Sequence, residues 1–172
     1  MTVRVVIVDD HALLRGGLGQ VLAGGDGIEL VGEACDGREA LAVCAATTPD
    51  VVLMDIVMPV MDGVEATRRI MASETAPRIV ILSSYADRSR VLAALEAGAV
   101  GFVLKDAEPA AVVEAIRAAA RGEAPIEPRV AAALLEARAA AAAAPQLSAR
   151  ERSVLRLVAA LRSLRNLCAL SG

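Results

Sequence analysis

The stretch Val51-Val52-Leu53-Met54-Asp55, followed by Met58-Pro59 and Asp62-Gly63, constrains the fold more than any other part of the chain. Four consecutive apolar residues predict a strand buried on both faces, as central strands of parallel sheets are. The run stops on a carboxylate. Pro59 disfavours helical geometry for Met58, and Asp62-Gly63 supplies a turn before a helix can begin. An acid at the carboxyl end of a buried parallel strand sits where open α/β sheets bind their ligands.

The pattern recurs along the chain. Arg4 to Val8 is a β-branched run ending on Asp9-Asp10, and His11 to Ala23 carries Leu14, Leu18, Val21 and Leu22 at helical spacing. Ile28 to Ala34 predicts a second strand, and Arg38 to Ala46 a helix with Ala40, Leu41 and Cys44 inward. After the strand at Val51 come a helix from Val64 to Ala72 and a strand Arg78 to Leu82 that ends on Ser83-Ser84. A helix from Asp87 to Ala97 turns Val91, Leu92 and Leu95 inward, with Gly98 as its C-cap. Gly101 to Leu104 predicts a fifth strand, ending on Lys105, and a last helix starts at Pro109. Strands alternating with helices predict an α/β fold, a doubly wound five-stranded parallel sheet with helices on both faces.

Residues 1–122 make one domain. Glu123 to Pro128 predicts a linker held off helix by two prolines, and Val130 to Ala144 is an Ala-rich helix former, the two filling 123–147. Ser148-Ala149-Arg150-Glu151 is a capping box that opens another helix, placing a C-terminal helical extension at 148–172. The net charge of -3 gives the first half no nucleic-acid footprint. Cys35, Cys44 and Cys168 form no CxxC and are expected as reduced packing thiols. Met1-Thr2-Val3-Arg4 shows no signal-peptide pattern, and no apolar run is long enough for a membrane helix, so a cytoplasmic chain without membrane contact is expected.

In a parallel sheet these strand ends open on one edge, which gathers Asp9, Asp10, Asp55, Ser83 and Lys105. Three carboxylates in close reach repel one another and call for a cation. Hard oxygen donors with open water positions suit Mg2+. A hydroxyl and an ammonium facing the same point suit the oxygens of a phosphoryl group, with one carboxylate as acceptor.

Val8-Asp9-Asp10, Met54-Asp55, Met58-Pro59, Met61-Asp62-Gly63, Leu82-Ser83 and Val103-Leu104-Lys105 resemble the receiver domain of two-component response regulators, over about residues 3–121. With Leu147 to Arg152 after the linker, the arrangement is similar to the NarL/FixJ-type subfamily, whose members attach a LuxR-type helix-turn-helix. The resemblance implies a flavodoxin-like sheet of order 2-1-3-4-5. It implies that Asp55 takes a phosphoryl group from a sensor histidine kinase. Asp10, Asp55 and the backbone carbonyl of Val57 would hold Mg2+, with Asp9 acting on it largely through water. Lys105 and Ser83 would contact the phosphoryl oxygens. Phe102 would be a switch aromatic that turns inward as Ser83 moves, changing the partners of the face made by the fourth helix, fifth strand and fifth helix. Such a chain is no enzyme beyond its own phosphorylation and dephosphorylation. His11 reads as a helix-start residue, Asp62 as a turn residue, and Tyr85 as a partner contact or an exposed loop residue.

The family pattern breaks after Ala160. Where a glycine turn and a second helix belong, Leu157, Leu161, Leu164 and Cys168 continue one stripe, expected to pack on the helix around Leu134 and Leu135 or to pair with another copy of the chain. Residues 148–172 thus read as an incomplete helix-turn-helix, the product of a truncation or a shifted frame, and sequence-specific DNA binding is not expected. The alternative is a DNA-binding transcription regulator that uses Arg150, Arg152, Arg156, Arg162 and Arg165. An aspartate-nucleophile phosphatase would want a second Asp where Val57 stands.

Overall fold

The computed structural model describes residues 2–25, 27–84, 88–128, 130–132 and 135, all within one compact unit, Met1–Ala137. Ten elements alternate: β1 (Val3–Val8), α1 (Ala12–Ala23), β2 (Ile28–Ala34), α2 (Gly37–Thr47), β3 (Val51–Asp55), α3 (Gly63–Met71), β4 (Arg78–Ser83), α4 (Arg88–Glu96), β5 (Gly101–Leu104) and α5 (Pro109–Ala120). The sheet has the order β2-β1-β3-β4-β5, and every pairing in it is parallel.

Each central strand is apolar through its middle because successive side chains face opposite layers, and helices cover both. Val6, Val8, Val52, Met54, Ile79, Ile81 and Phe102 face one layer, with Ala40 and Cys44 of α2, Ala66 and Ile70 of α3, and Val91 and Ala94 of α4. Val5, Ile7, Val51, Leu53, Val80, Leu82 and Val103 face the other, with Leu18 and Leu22 of α1 and Val112 and Ile116 of α5. Burial pushes the Cys44 thiol up to about 11, which fits a packing thiol that stays protonated at neutral pH. Cys168 lies outside the described residues.

The helix starts follow local chemistry. The Asp36 carboxylate accepts from the N–H groups of Arg38 and Glu39, at 2.7 and 2.9 Å, and Glu39 reaches back to the Cys35 N–H at 2.9 Å. Asp62, expected as a turn residue, caps α3 by accepting from the Glu65 N–H at 2.8 Å. One inward assignment needs correction. Leu92 is 39% exposed, whereas Val91 and Ala94 are fully buried. At about 100° per residue, the line through Val91 and Ala94 defines the inner face of α4, and Leu92 lies a step around from it.

The stretch expected as a linker is extended, as its prolines require, yet it lies against the sheet. Pro125 O accepts from the Phe102 N–H at 2.8 Å and the Glu127 N–H donates to Phe102 O at 3.1 Å, a parallel bridge between Phe102 and Ile126. Glu127 Oε2 also accepts from the Leu104 N–H at 2.9 Å. Residues 125–127 thereby cover the backbone of β5, an edge that would otherwise offer unpaired groups. Gly101 permits this approach: a Cβ there would come within 2.7 Å of the Pro125 ring. Val130 is fully buried beyond the clasp. Most of the expected Ala-rich helix, and all of 148–172, lie outside the described residues.

Candidate phosphoryl-acceptor site

Register brings the expected residues together. Val8 pairs with Met54, so Asp9 and Asp55 follow at neighbouring strand ends. Ser83 pairs with Leu104, one residue short of Lys105, and the Lys105 N–H donates to Ser83 O at 2.8 Å. Asp9, Asp55 and Ser83 are all buried. The Lys105 ammonium bridges two of the carboxylates, 2.6 Å from Asp9 Oδ2 and 2.8 Å from Asp55 Oδ2. Burial pushes the Asp55 carboxyl above its ordinary range, and the Lys105 ammonium reverses only part of that rise. For Lys105 burial acts downward, but contacts with Asp55 and Asp9 outweigh it and hold the ammonium above its ordinary range.

The loop after Asp55 is built as tightly as its sequence suggests. The Val57 N–H reaches Asp55 Oδ1 only at 3.4 Å, a long contact. Met61 N–H donates to Pro59 O at 2.6 Å across Val60, which takes a φ of 64°. That left-handed geometry is costly for a β-branched residue, and strain of this kind gathers at functional loops. The Gly63 N–H closes the loop on Ile56 O at 2.9 Å. A side chain at Gly63 would collide with the Asp55 carbonyl, its Cβ 1.9 Å from that oxygen. Glycine is therefore required by close approach, and the same contact fixes where the Asp55 backbone lies.

The strand ends floor a cavity of about 450 Å3, bordered by Asp10, Asp55, Val57, Ser83 and Lys105. Val57 is 56% exposed at its rim. Three further residues border it that sequence reasoning did not assign to the site: Ser84, His11, and Arg90 from the first turn of α4. His11 Nδ1 lies 2.8 Å from Asp10 Oδ1 and 3.2 Å from Asp9 Oδ1. Arg15 Nη1 supports the strand end by donating to the Asp9 carbonyl at 2.7 Å. Phe102 is fully buried beside Ile81, its register partner. Tyr85 lies outside the described residues.

The donor set fits Mg2+. Oxygen ligands from Asp9, Asp10 and Asp55 approach one another closely, together with His11, and the Lys105 ammonium offsets one of their three negative charges. Asp9 Oδ2 is buried and, despite Lys105 nearby, accepts no well-directed hydrogen bond. Hard oxygens short of positive charge are what a small divalent cation satisfies.

A family model described as the response regulator receiver domain matches residues 5–117. The transcriptional regulatory protein LiaR of Bacillus subtilis is 43% identical over 129 residues, which are 75% of this chain and 61% of LiaR. The probable transcriptional regulatory protein NarL of Mycobacterium tuberculosis is 39% identical over 164 residues, 94% of this chain and 76% of that protein. The match to LiaR thus covers less than two thirds of that relative's length. Among solved structures, a LuxR-family two-component response regulator from Aurantimonas sp. SI85-9A1 superposes with a TM-score of 0.76 at 38% identity, covering 81% of this chain and 99% of that one. The receiver domain of the putative response regulator NarL from Mycobacterium tuberculosis gives 0.69 at 38% identity, covering 71% and 98%.

Proposed function

This chain belongs to the response regulator receiver family, and on that premise we propose that Asp55 accepts a phosphoryl group from the phosphohistidine of a sensor histidine kinase in the cytoplasm. The observation that carries this is the Lys105 ammonium, held against both Asp9 and Asp55 at the floor of an open cavity. In the transfer an Asp55 oxygen forms the new P–O bond while the P–N bond of the donor breaks. The electron pair stays on the donor imidazole, which takes up a proton. Asp10, Asp55 and the Val57 carbonyl would hold Mg2+, with Asp9 acting through water, and the bound cation would offset the charge of the phosphoryl oxygens. Lys105 then pairs with one of those oxygens and the Ser83 hydroxyl donates to another. The chain performs only its own phosphorylation and dephosphorylation.

The switch runs from Ser83 to Phe102. Phe102 shares backbone hydrogen bonds with residues 125 and 127, so a shift of β5 on loading would reach the clasp and the α4, β5, α5 face. Beryllofluoride with Mg2+ should change amide exchange at Phe102 and Glu127. In Lys105→Ala those changes should vanish while the fold persists. Unaltered exchange in the loaded wild type would defeat the switch.

Hydrolysis of an aspartyl phosphate needs an oriented water, and Val57 at the rim carries no group to orient one. Val57→Asn should therefore shorten the phosphoryl lifetime ~10-fold, about 1.4 kcal/mol of barrier. Equal decay in the two proteins would remove this role.

For the sequence beyond residue 147 we propose salt-sensitive contact with DNA and no base readout, so that a DNA-directed output is lost from these 172 residues. The alternative, a DNA-binding regulator, is favoured by relatives named as transcriptional regulators. Titration against random and promoter-derived duplexes at two salt concentrations separates them. Preference for one duplex that survives physiological salt would establish the alternative.

A further inference from the structure

We propose that His11 supplies a nitrogen ligand to the divalent cation of this site, so that the chain takes Co2+ and Ni2+ with an affinity its oxygen donors alone do not give. The inference rests on the cation-binding reading of Asp9, Asp10 and Asp55, and it is tested apart from that reading.

Three observations carry it. One ligand atom from each of Asp9, Asp10, His11 and Asp55 lies within 4.8 Å of the others, a spacing that donors about 2.0–2.4 Å from a common centre can reach. The imidazole lies toward the carboxylates: its Nδ1 faces Asp10 and Asp9 at 2.8 and 3.2 Å, while the backbone N–H of His11 donates to Asp9 Oδ1 at 2.8 Å. At 2.8 Å from Asp10 Oδ1, Nδ1 is a donor in the Nδ1–H tautomer; moving the ring proton to Nε2 frees the Nδ1 lone pair for the point the carboxylates surround. Finally, the single Lys105 ammonium, against Asp9 and Asp55, offsets only one of the three carboxylate charges, so the cluster retains acceptor capacity for a cation.

The chemistry of the donor set turns this into a difference between metals. Mg2+ is hard and keeps oxygen and water ligands, so an added imidazole changes its binding little. Co2+ and Ni2+ gain from nitrogen donors. His11 should thus set the ratio between a transition cation and Mg2+ more than the strength of Mg2+ binding itself.

The chain has a single histidine and three cysteines, which makes the assignment clean. In the untagged 172-residue protein loaded with Co2+, a hyperfine-shifted imidazole proton in the NMR spectrum can come only from His11. Ni2+ and Mg2+ affinities are then measured by calorimetry for the wild type, His11→Ala and Asp10→Asn. The expected results are a shifted imidazole signal, and a Ni2+ to Mg2+ affinity ratio that falls ~10-fold or more in His11→Ala while Mg2+ binding holds. Asp10→Asn should weaken both cations. An unchanged ratio with intact Mg2+ binding overturns the role of His11 and leaves the Mg2+ site standing. Thiolate charge-transfer bands in place of the imidazole signal, or Ni2+ binding indifferent to Asp10→Asn, overturn it too. A wild type that binds neither cation overturns the cation site itself.

Discussion

Asp55→Asn should reduce phosphoryl incorporation to background without loss of the fold. The amide keeps the size and shape of the carboxylate, so the end of β3 can stay in register with Leu82. It removes the anionic oxygen that forms the P–O bond, and a neutral amide is no substitute nucleophile. Stability should hold or rise. Burial and the nearby Asp9 carboxylate make the ionised form of Asp55 costly in the folded state, an effect that Lys105 only partly offsets. Lys105 keeps its contact with Asp9 at 2.6 Å, so no ammonium is left unpaired. Radiolabelled phosphodonor uptake and a thermal melt check both halves. Incorporation that persists in Asp55→Asn would show that the acceptor lies elsewhere.

Gly63→Ala should be among the most damaging single-methyl additions in the chain. The added carbon would lie 1.9 Å from the Asp55 carbonyl oxygen, 2.9 Å from its carbon and 3.1 Å from the Ile56 Cα. These are backbone atoms, so relief cannot come from rotating a side chain. Either α3 moves away, giving up the Gly63 to Ile56 hydrogen bond at 2.9 Å, or the end of β3 is displaced with the acceptor on it. The expected loss is about 3 kcal/mol, the upper range for overpacking, which for a domain of this size is a fall of roughly 10 °C in melting temperature. Beryllofluoride binding should fail together with stability. A variant that melts with the wild type and loads normally would show that the loop relaxes at no cost.

The strands and their chemistry were legible because two independent requirements wrote the same residues. Two-sided burial makes Val5 to Val8, Val51 to Met54 and Ile79 to Leu82 continuously apolar, so Asp9, Asp55 and Ser83 stand out as polar residues at their ends. Turn chemistry fixed where α3 begins. What stayed illegible depends on contacts between segments remote in sequence. Nothing in Glu123 to Pro128 reveals that it lies along β5; its prolines announce extension, and only the small Gly101 opposite Pro125 makes room. Arg90 carries no local signal, since a charged residue in the first turn of an amphipathic helix is ordinarily a solvated one. Leu92 shows the limit of periodicity in a short helix, where an inner face defined by Val91 and Ala94 leaves a neighbouring leucine outward. The position of His11 at a helix start gives no sign that its ring nitrogen is engaged with two acids.

A phosphorylated Asp55 can be trapped and located in the wild-type protein. The chain is incubated with a small acyl phosphate in Mg2+ and, in parallel, in excess chelator. Borohydride then reduces any acyl phosphate to the alcohol, and peptide mass spectrometry locates the reduced residue. Reduction confined to Asp55, present with Mg2+ and absent with chelator, is the predicted result. Reduction at another acid, or equal labelling in chelator, would contradict a Mg2+-dependent acceptor at the end of β3.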